Sequence, residues 1–308
     1  MAYFNGNKNF LIALKGKDGE NGGCNPNLLI NGDFKVNQRE ETKYTSKATT
    51  SSRTYTVDRW HIFQRDIAEN TVSVKKDGII FDSVGEFAYL AQTIENYESL
   101  VGRTVTFSVK LENMSSASAK LFIEQGGVYC PATCDISGHA TGVFSCTGVL
   151  VSGYSQLKVG ISKNHTAPMQ IKLYEAKLEI GEVATPFSPR PYAEELLLCQ
   201  RYYYKQNHCV HNLGILHSNN QVAVMINLPT TMRTSPTITY DKSAEPDYTR
   251  TALFFGGGSY KTNSVSFNAF CGDKIRLIAI VDSAVSFASA MVAVYRPWQS
   301  MRFDAEIY

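Results

Sequence analysis

Thr104-Val105-Thr106-Phe107-Ser108-Val109-Lys110-Leu111 alternates polar and apolar side chains without a break. Successive side chains on a strand point to opposite faces, so Val105, Phe107, Val109 and Leu111 share one face and the polar residues the other. This is a strand with one buried face, and its neighbours repeat the pattern. Leu28 to Phe34, Tyr55 to Phe63, Thr71 to Lys75 and Lys120 to Glu124 read as further short strands, punctuated by turn signals at Asn31-Gly32, Asp77-Gly78 and Gly126-Gly127. Between Gln170 and Ile180 the alternation changes phase, Ile171 and Leu173 giving way to Tyr174, Ala176, Leu178 and Ile180, which predicts a β-bulge. Many short strands without helical patterns between them predict antiparallel sheets stacked as a sandwich, here over residues 26–187.

Helical spacing surfaces convincingly once, after Pro189-Arg190-Pro191. Proline suits the first turn, Glu194 and Glu195 sit near the positive end, and Arg201 and Lys205 near the negative end. Tyr192, Leu196, Cys199 and Tyr203 form one apolar stripe, widened by Leu198 and Tyr202, so a linking helix is predicted within residues 188–206. That stripe has to pack on the sandwich or on the same helix of neighbouring subunits. From residue 207 to 308 the β pattern returns: Val222, Val224 and Ile226 alternate, as do Val265, Phe267 and Ala269. Lys274 to Val281, Ala290 to Tyr295 and Arg302 to Tyr308 follow, with Phe303, Ala305 and Ile307 on one face, and a long loop is expected from Asp241 to Asn263. The predicted fold class is therefore all-β: a β-sandwich, one linking α-helix and a smaller C-terminal β-sandwich.

Composition narrows the function. The 308 residues are 44% hydrophobic and 19% charged, ordinary for a globular chain of about two domains. A net charge of +2 with scattered Lys and Arg argues against a nucleic-acid partner. No apolar run reaches the length of a membrane span, and the N-terminus has no secretory pattern, so a soluble protein without membrane insertion is expected. The seven cysteines show no repeating spacing and read as reduced thiols in a chain made in a cytosol. Residues 1–25 carry Gly at every third position from Gly16 to Gly22, the period of a collagen triple helix and also of a plain flexible linker.

Motifs for bond-breaking chemistry are missing. His208, Cys209, His211 and His217 cluster but fit no zinc spacing, Cys130 and Cys134 are too far apart for a redox pair, and no nucleophile elbow or phosphate loop occurs. Acidic residues such as Asp58, Asp66, Glu69, Glu95 and Glu98 offer no preferred pair for glycoside hydrolysis. Neither a metal nor a cofactor is expected. Aromatics are the better clue, because sugar rings stack on exposed rings while nearby polar groups take the hydroxyls. Tyr248, Tyr260 and Trp298, beside Asp247, Arg250 and Lys261, are the candidate glycan contacts of the C-terminal domain, each with the alternative of packing its own sheet. Trp60 is assigned to the core.

Three stretches carry a resemblance. Asn27-Leu28-Leu29-Ile30-Asn31-Gly32-Asp33-Phe34 with Asn37-Gln38-Arg39 is the first, and Asp58-Arg59-Trp60 is its companion. Lys177-Leu178-Glu179-Ile180-Gly181, Thr185-Pro186-Phe187 and Arg190-Pro191-Tyr192-Ala193-Glu194-Glu195 then lead into Cys199-Gln200-Arg201-Tyr202-Tyr203. In this order the stretches resemble a family of phage and prophage tail proteins, over residues 27 to about 205 and more weakly through Met232-Arg233 and Ser235-Pro236-Thr237. The resemblance implies a jelly-roll similar to carbohydrate-binding modules and a homotrimer at the virion tail tip. It also implies attachment to a tail or baseplate protein through the N-terminus and non-enzymatic binding to bacterial surface polysaccharide. Tyr3-Phe4-Asn5-Gly6-Asn7 is similar to the start of tail proteins from phages of Gram-positive bacteria. Asp58-Arg59-Trp60 departs from sugar-binding modules by carrying Arg where another acid is frequent. A calcium site near Asn31 or Asp33 would suit such a sandwich, though acidic turn residues more commonly bond their own backbone. The rival readings are a structural tail or baseplate component and a polysaccharide depolymerase.

Overall fold

The computed structural model describes residues 25–46, 52–65, 68–127, 129–207, 210–218, 221–240, 252–255, 258–271, 273–281, 291–295 and 301–307. The chain divides into two units, between Glu195 and Leu196.

The first unit contributes β1 (Lys43–Ser46), β2 (Ser52–Tyr55), β3 (His61–Gln64), β4 (Asn70–Lys75), β5 (Gly78–Ser83) and β6 (Phe87–Ile94). It continues with β7 (Thr104–Asn113), β8 (Ala119–Gln125), β9 (Tyr129–Ile136), β10 (Thr141–Val149), β11 (Leu157–Asn164) and β12 (Met169–Ile180). They form two six-stranded sheets, ordered β1-β4-β5-β12-β7-β10 and β2-β3-β6-β11-β8-β9, whose pairings are antiparallel throughout. The result is a jelly-roll β-sandwich. The alternation that opens the sequence explains its core: Val105, Phe107, Val109 and Leu111 of β7 join Phe81, Leu173 and Leu178 of the same sheet. Facing them are Ile62, Leu90, Leu121, Ile123 and Val159 of the other, in one buried cluster. Each such side chain contributes about 1.5–3 kcal/mol on leaving water.

The phase change is a bulge, with the β12–β7 register slipping between Leu173 and Glu175. Gly78 makes room for it: at φ +136°, its added Cβ would lie 2.0 Å from the Leu173 carbonyl oxygen. Leu28 to Phe34 is not the strand expected, because polar side chains hold it as a chain of turns. Asn31 and Phe34 sit at φ 58° and 59°, in the left-handed region. The Asn31 amide takes the Val36 N–H at 2.9 Å and donates to the carbonyls of Val36 (2.8 Å) and Asp58 (3.0 Å). That amide is thus committed to backbone, and Asp33 pairs with Lys35 at 2.8 Å. The predicted strand Tyr55 to Phe63 is interrupted by a turn that ends β2 and begins β3, with Arg59 at φ 71°. Trp60 is buried, as expected, its indole donating to the Asn31 carbonyl at 2.9 Å.

Chain entry and exit are fastened by buried charges. Asn27 accepts the N–H groups of Leu29 and Leu178, both at 3.0 Å, and donates to Ala176 at 2.9 Å. Lys177 and Glu179 form an ion pair at 3.2 Å with 2% and 0% of their side chains exposed. Glu179 also accepts the Thr185 N–H at 2.8 Å and its hydroxyl at 2.6 Å, while Lys177 donates to Thr185 Oγ1 at 2.5 Å and the Pro186 carbonyl at 3.1 Å. Arg190 grips Glu195 through 3.1 and 3.0 Å contacts and donates to the carbonyls of Leu29, at 2.9 Å, and Asn27. Glu195 in turn accepts the Asn31 N–H at 2.5 Å. The motifs at residues 27–34 and 177–195 are thus spent on tying residues 25–36 to 176–195.

The helix α1 (Tyr192–Gln200) is shorter than the predicted span, and β13 (Tyr203–Gln206) follows at once. Three consecutive aromatics, Tyr202 to Tyr204, favour the pleated surface, and Tyr203 pairs with Asp304. Arg201 and Lys205 therefore lie beyond the helix, and Tyr203 leaves its stripe. The second unit adds β14 (Val210–Ser218), β15 (Gln221–Asn227), β16 (Thr237–Tyr240), β17 (Ala252–Phe255) and β18 (Gly258–Cys271). It ends with β19 (Lys274–Val281), β20 (Met291–Tyr295) and β21 (Met301–Asp304). These make a three-stranded sheet β13-β21-β16 and a six-stranded sheet β17-β18-β19-β15-β14-β20. The expected loop from 241 to 263 is partly a hairpin, with Ala252 opposite Lys261 and Leu253 opposite Tyr260. Arg233 fastens the end of the chain by donating to the carbonyls of Ala305 at 2.8 Å and Glu306 at 2.9 Å.

Removing one partner of a buried pair strands the other charge, which costs about 3–5 kcal/mol. Glu179→Ala is expected to lower the unfolding free energy of the sandwich by that much in a urea titration, whereas Asp135→Ala, which breaks an exposed pair with Lys120, changes it by less than about 1 kcal/mol.

Candidate functional site

A sandwich ordinarily turns polar residues outward, and the first sheet does so: Thr104, Thr106, Ser108, Lys110 and Glu112 alternate with the core residues of β7. The second sheet does not. On β6 the core takes Ala88 and Leu90, and the opposite face carries Phe87, Tyr89 and Ala91. Register aligns this outer face in rows. Arg53, Phe63, Tyr89, Ser162 and Lys120 stand side by side across β2, β3, β6, β11 and β8. The next row is Tyr55, His61, Ala91, Gly160 and Phe122, and the one after it Thr93, Lys158 and Glu124.

Ala91 and Gly160 put the smallest side chains in the middle of this face, and Gly160 has no alternative: a Cβ would lie 2.3 Å from the Leu90 carbonyl oxygen. Tyr89 leans across the gap. Its ring meets Phe122 edge-on at 5.5 Å, and its hydroxyl accepts a hydrogen bond from Lys158 Nζ at 3.1 Å. Lys158, 5.1 Å from the ring centre, is held by Glu124 at 2.6 Å. Phe63 stacks flat on Tyr89 at 4.9 Å and 14°, with Phe87 edge-on to both. Tyr89 and Phe122 are buried by this arrangement, and Phe63 and Phe87 are half-buried. A second apolar layer thus lies on the outside of the sheet, fringed by cations. Arg65 stands 4.7 Å over Phe87, Arg39 stands 5.5 Å over Tyr55, and Arg53 reaches Gln156 at 3.4 Å.

Within this layer lies His61, fully buried between Tyr55 and Tyr89, with ring centres at 5.3 and 6.1 Å. Neither ring nitrogen has a hydrogen-bond partner among the described residues. Burial, then the positive charges of Arg53, Lys158 and Arg59, hold its pKa well below the ordinary histidine value, so the ring is neutral. Asp58 is spent on Gln38, accepting its N–H at 2.7 Å and its amide at 2.6 Å, and Arg59 donates to the Thr93 carbonyl at 2.7 Å.

The residues singled out from sequence lie elsewhere. Tyr248, Arg250 and Trp298 are outside the described residues, as are residues 1–24 with the glycine triplets, and His208 and Cys209. Tyr260 and Lys261 lie on β18. Of the helix stripe, Cys199 and Tyr203 are buried, Leu196 is half-buried, and Tyr192 is 58% exposed. Among the described residues no group of three or more His, Cys, Asp and Glu forms a metal cage. The aromatic layer was missed from sequence, yet β6 carried a signal: Phe87-Ala88-Tyr89-Leu90-Ala91 is apolar on both faces, which an ordinary outer strand is not.

No family model and no curated protein matches the chain. Among solved structures, one described as "CBM4 structure and function" is 12% identical at a TM-score of 0.28, covering 49% of this chain and 97% of its own. The N-terminal CBM22 tandem domain from Paenibacillus barcinonensis Xyn10C is 10% identical at 0.29, covering 94% and 100%. The enzymatically active domain of tailspike protein 4 of bacteriophage CBA120 is 14% identical at 0.29, covering 50% of this chain and 21% of its own. Likenesses of this order say nothing of what the chain binds.

The buried histidine has a measurable signature. Below about pH 6.5 the unfolded chain takes up a proton at His61 that the folded chain refuses, so stability present at neutral pH is lost as pH falls, by up to about 1.4 kcal/mol per unit. His61→Phe is expected to flatten that part of the stability profile between pH 6.5 and 5, and an unchanged slope would contradict a buried neutral ring.

Proposed function

We propose that this chain is a non-enzymatic adhesion protein of a phage-like tail, and that the outer face of the second sheet around Phe63 is where its sandwich meets surface polysaccharide. One observation carries the reading: a half-buried ring, Phe63, is fixed flat on Tyr89 outside the core, with polar and charged groups around it. A rigid apolar plane flanked by hydrogen-bonding groups matches a sugar, which offers a C–H face and a rim of hydroxyls. The tail assignment is supported by the ordered motifs from Asn27 to Tyr203. Trimeric display would multiply weak contacts through effective concentration. The C-terminal contacts Tyr248, Arg250, Tyr260, Lys261 and Trp298 are proposed as a second glycan surface.

A structural tail or baseplate role is the second reading. It is favoured by the fact that the motifs of the resemblance are spent on buried hydrogen bonds and not on an exposed surface. Binding of the isolated protein to host envelope separates the two. Phe63→Ala is expected to weaken retention on envelope polysaccharide about two- to tenfold while leaving the circular dichroism unchanged. Unaltered retention would remove the sandwich face, and a matching loss in the Tyr248, Tyr260 and Trp298 triple alanine variant would move the site to the C-terminal domain. Release of reducing ends from the polymer would replace adhesion by depolymerisation.

A further inference from the structure

The two sheets of the sandwich meet along one side, where β9 and β10 are their edge strands. A turn from Ser137 to Ala140, closed by the Ala140 N–H on the Ser137 carbonyl at 3.3 Å, joins these strands, so they run in opposite directions, each in its own sheet. Both carry a cysteine turned inward. Cys134 lies opposite Leu121 and Cys146 opposite Phe107, two residues of the core, and residues directly opposite on paired strands share a face. Cys146 is buried within the core cluster, and Cys134 packs against that cluster half-buried, both as thiols. Gly148 sets how the two edge strands pass each other: a Cβ there would lie 3.1 Å from the Cβ of Ala132. Two residues nearer the turn on each strand, and on the same inward faces, stand Cys146 and Cys134. Burial, then the Cys134 and Cys130 thiols, push the Cys146 thiol up to about 12, so these sulfurs lie near enough to feel one another's charge.

We propose that Cys134 and Cys146 are a modification site, a thiol pair that closes to a disulfide and staples the two sheets together when the protein meets a low-molecular-weight disulfide such as oxidised glutathione. Cys130 stands outside the pair. A strand rises about 3.3 Å per residue, which puts Cys130 about 13 Å from Cys134 along β9, beyond the reach of a disulfide. Its thiol donates instead to the Ile123 carbonyl of the neighbouring strand at 3.1 Å. Closure takes two exchanges. The thiolate of the more accessible Cys134 attacks one sulfur of oxidised glutathione, breaking its S–S bond, forming a mixed disulfide and releasing one glutathione thiolate. The Cys146 thiolate then attacks the Cys134 sulfur and releases the second glutathione thiolate. The two released thiolates take up the two protons that the cysteines lose, so the pair is oxidised while one glutathione disulfide is reduced to two thiols. Because the Cys146 thiol is pushed up by burial, the second exchange is the slow one at neutral pH and quickens as pH rises.

The test treats the purified full-length protein with oxidised glutathione, quenches with acid, alkylates the remaining thiols and maps the peptides by mass. A peptide pair joining Cys134 to Cys146 is expected, formed faster as the pH of the treatment is raised. In urea titrations the oxidised protein should show an unfolding equilibrium constant about a hundredfold below that of the same protein after dithiothreitol, as for a cross-link closing a loop of this length. Cys130→Ser should close like the unaltered chain, and Cys146→Ala should stop at the glutathione adduct on Cys134. The reduced protein is the reference for its own oxidised form, so a variant that folds poorly does not decide the outcome. A map that joins Cys130 to either residue, a glutathione adduct on Cys134 that persists in the unaltered chain, or an oxidised protein no harder to unfold than the reduced one overturns the staple.

Discussion

The sandwich depends on a set of charges held largely away from water. Lys177 and Glu179 are buried as an ion pair on the last strand, where Thr185 satisfies both, and a few residues on Arg190 and Glu195 close a second pair over the opening segment. Taking such groups out of water is expensive, and their attraction repays it only when the remaining donors and acceptors are also met. Here backbone carbonyls and N–H groups of residues 27–31 and 185–186 meet them. The clasp fixes where the chain leaves the sandwich, and so where α1 begins.

With the two ends tied, the two sheets differ in what they show to the outside. The first presents the usual polar face, where Tyr174, displaced by the bulge, lies among Lys110, Lys172 and Glu112. The second carries an apolar layer on its outer side as well, set among polar and charged residues. Its outer layer exists because Ala91 and Gly160 leave room for Tyr89 to lie down, and Tyr89 gives Phe63 a flat bed. An outer layer of this kind with cations on its rim is costly to keep for stability alone, since His61 is buried with ring nitrogens that meet no partner among the described residues. Buried polar groups left unmet recur at functional surfaces, where part of the stability is given up for a shaped, charged face.

Much of this architecture was legible from the chain. Strict alternation in β7 set the strand period and the buried face together, and the phase slip in Gln170 to Ile180 located the bulge because period two tolerates no silent insertion. Leu28 to Phe34 misled because its apolar residues look like a strand, whereas Asn27 and Asn31 spend their amides on backbone and bend it into turns. Tyr203 was misplaced because a stripe at spacings of three and four cannot tell where a helix stops when the next residues are aromatic. The aromatic face was legible least. It is assembled from β2, β3, β6, β8 and β11, and only the register between distant strands brings Phe63, Tyr89 and Phe122 together. The roles of Asp58 and Arg59 were equally hidden, since both are held within turns by partners far along the chain.

The central claim is that the outer layer of the second sheet, and no enzymatic cleft, is the working surface of this protein. Amide hydrogen exchange with and without soluble envelope polysaccharide, paired with size analysis of the polymer before and after, tests it most directly. The account expects added protection concentrated in residues 61–65 and 87–93 and a polymer of unchanged length. Protection confined to the second unit, or a polymer that shortens, would contradict it.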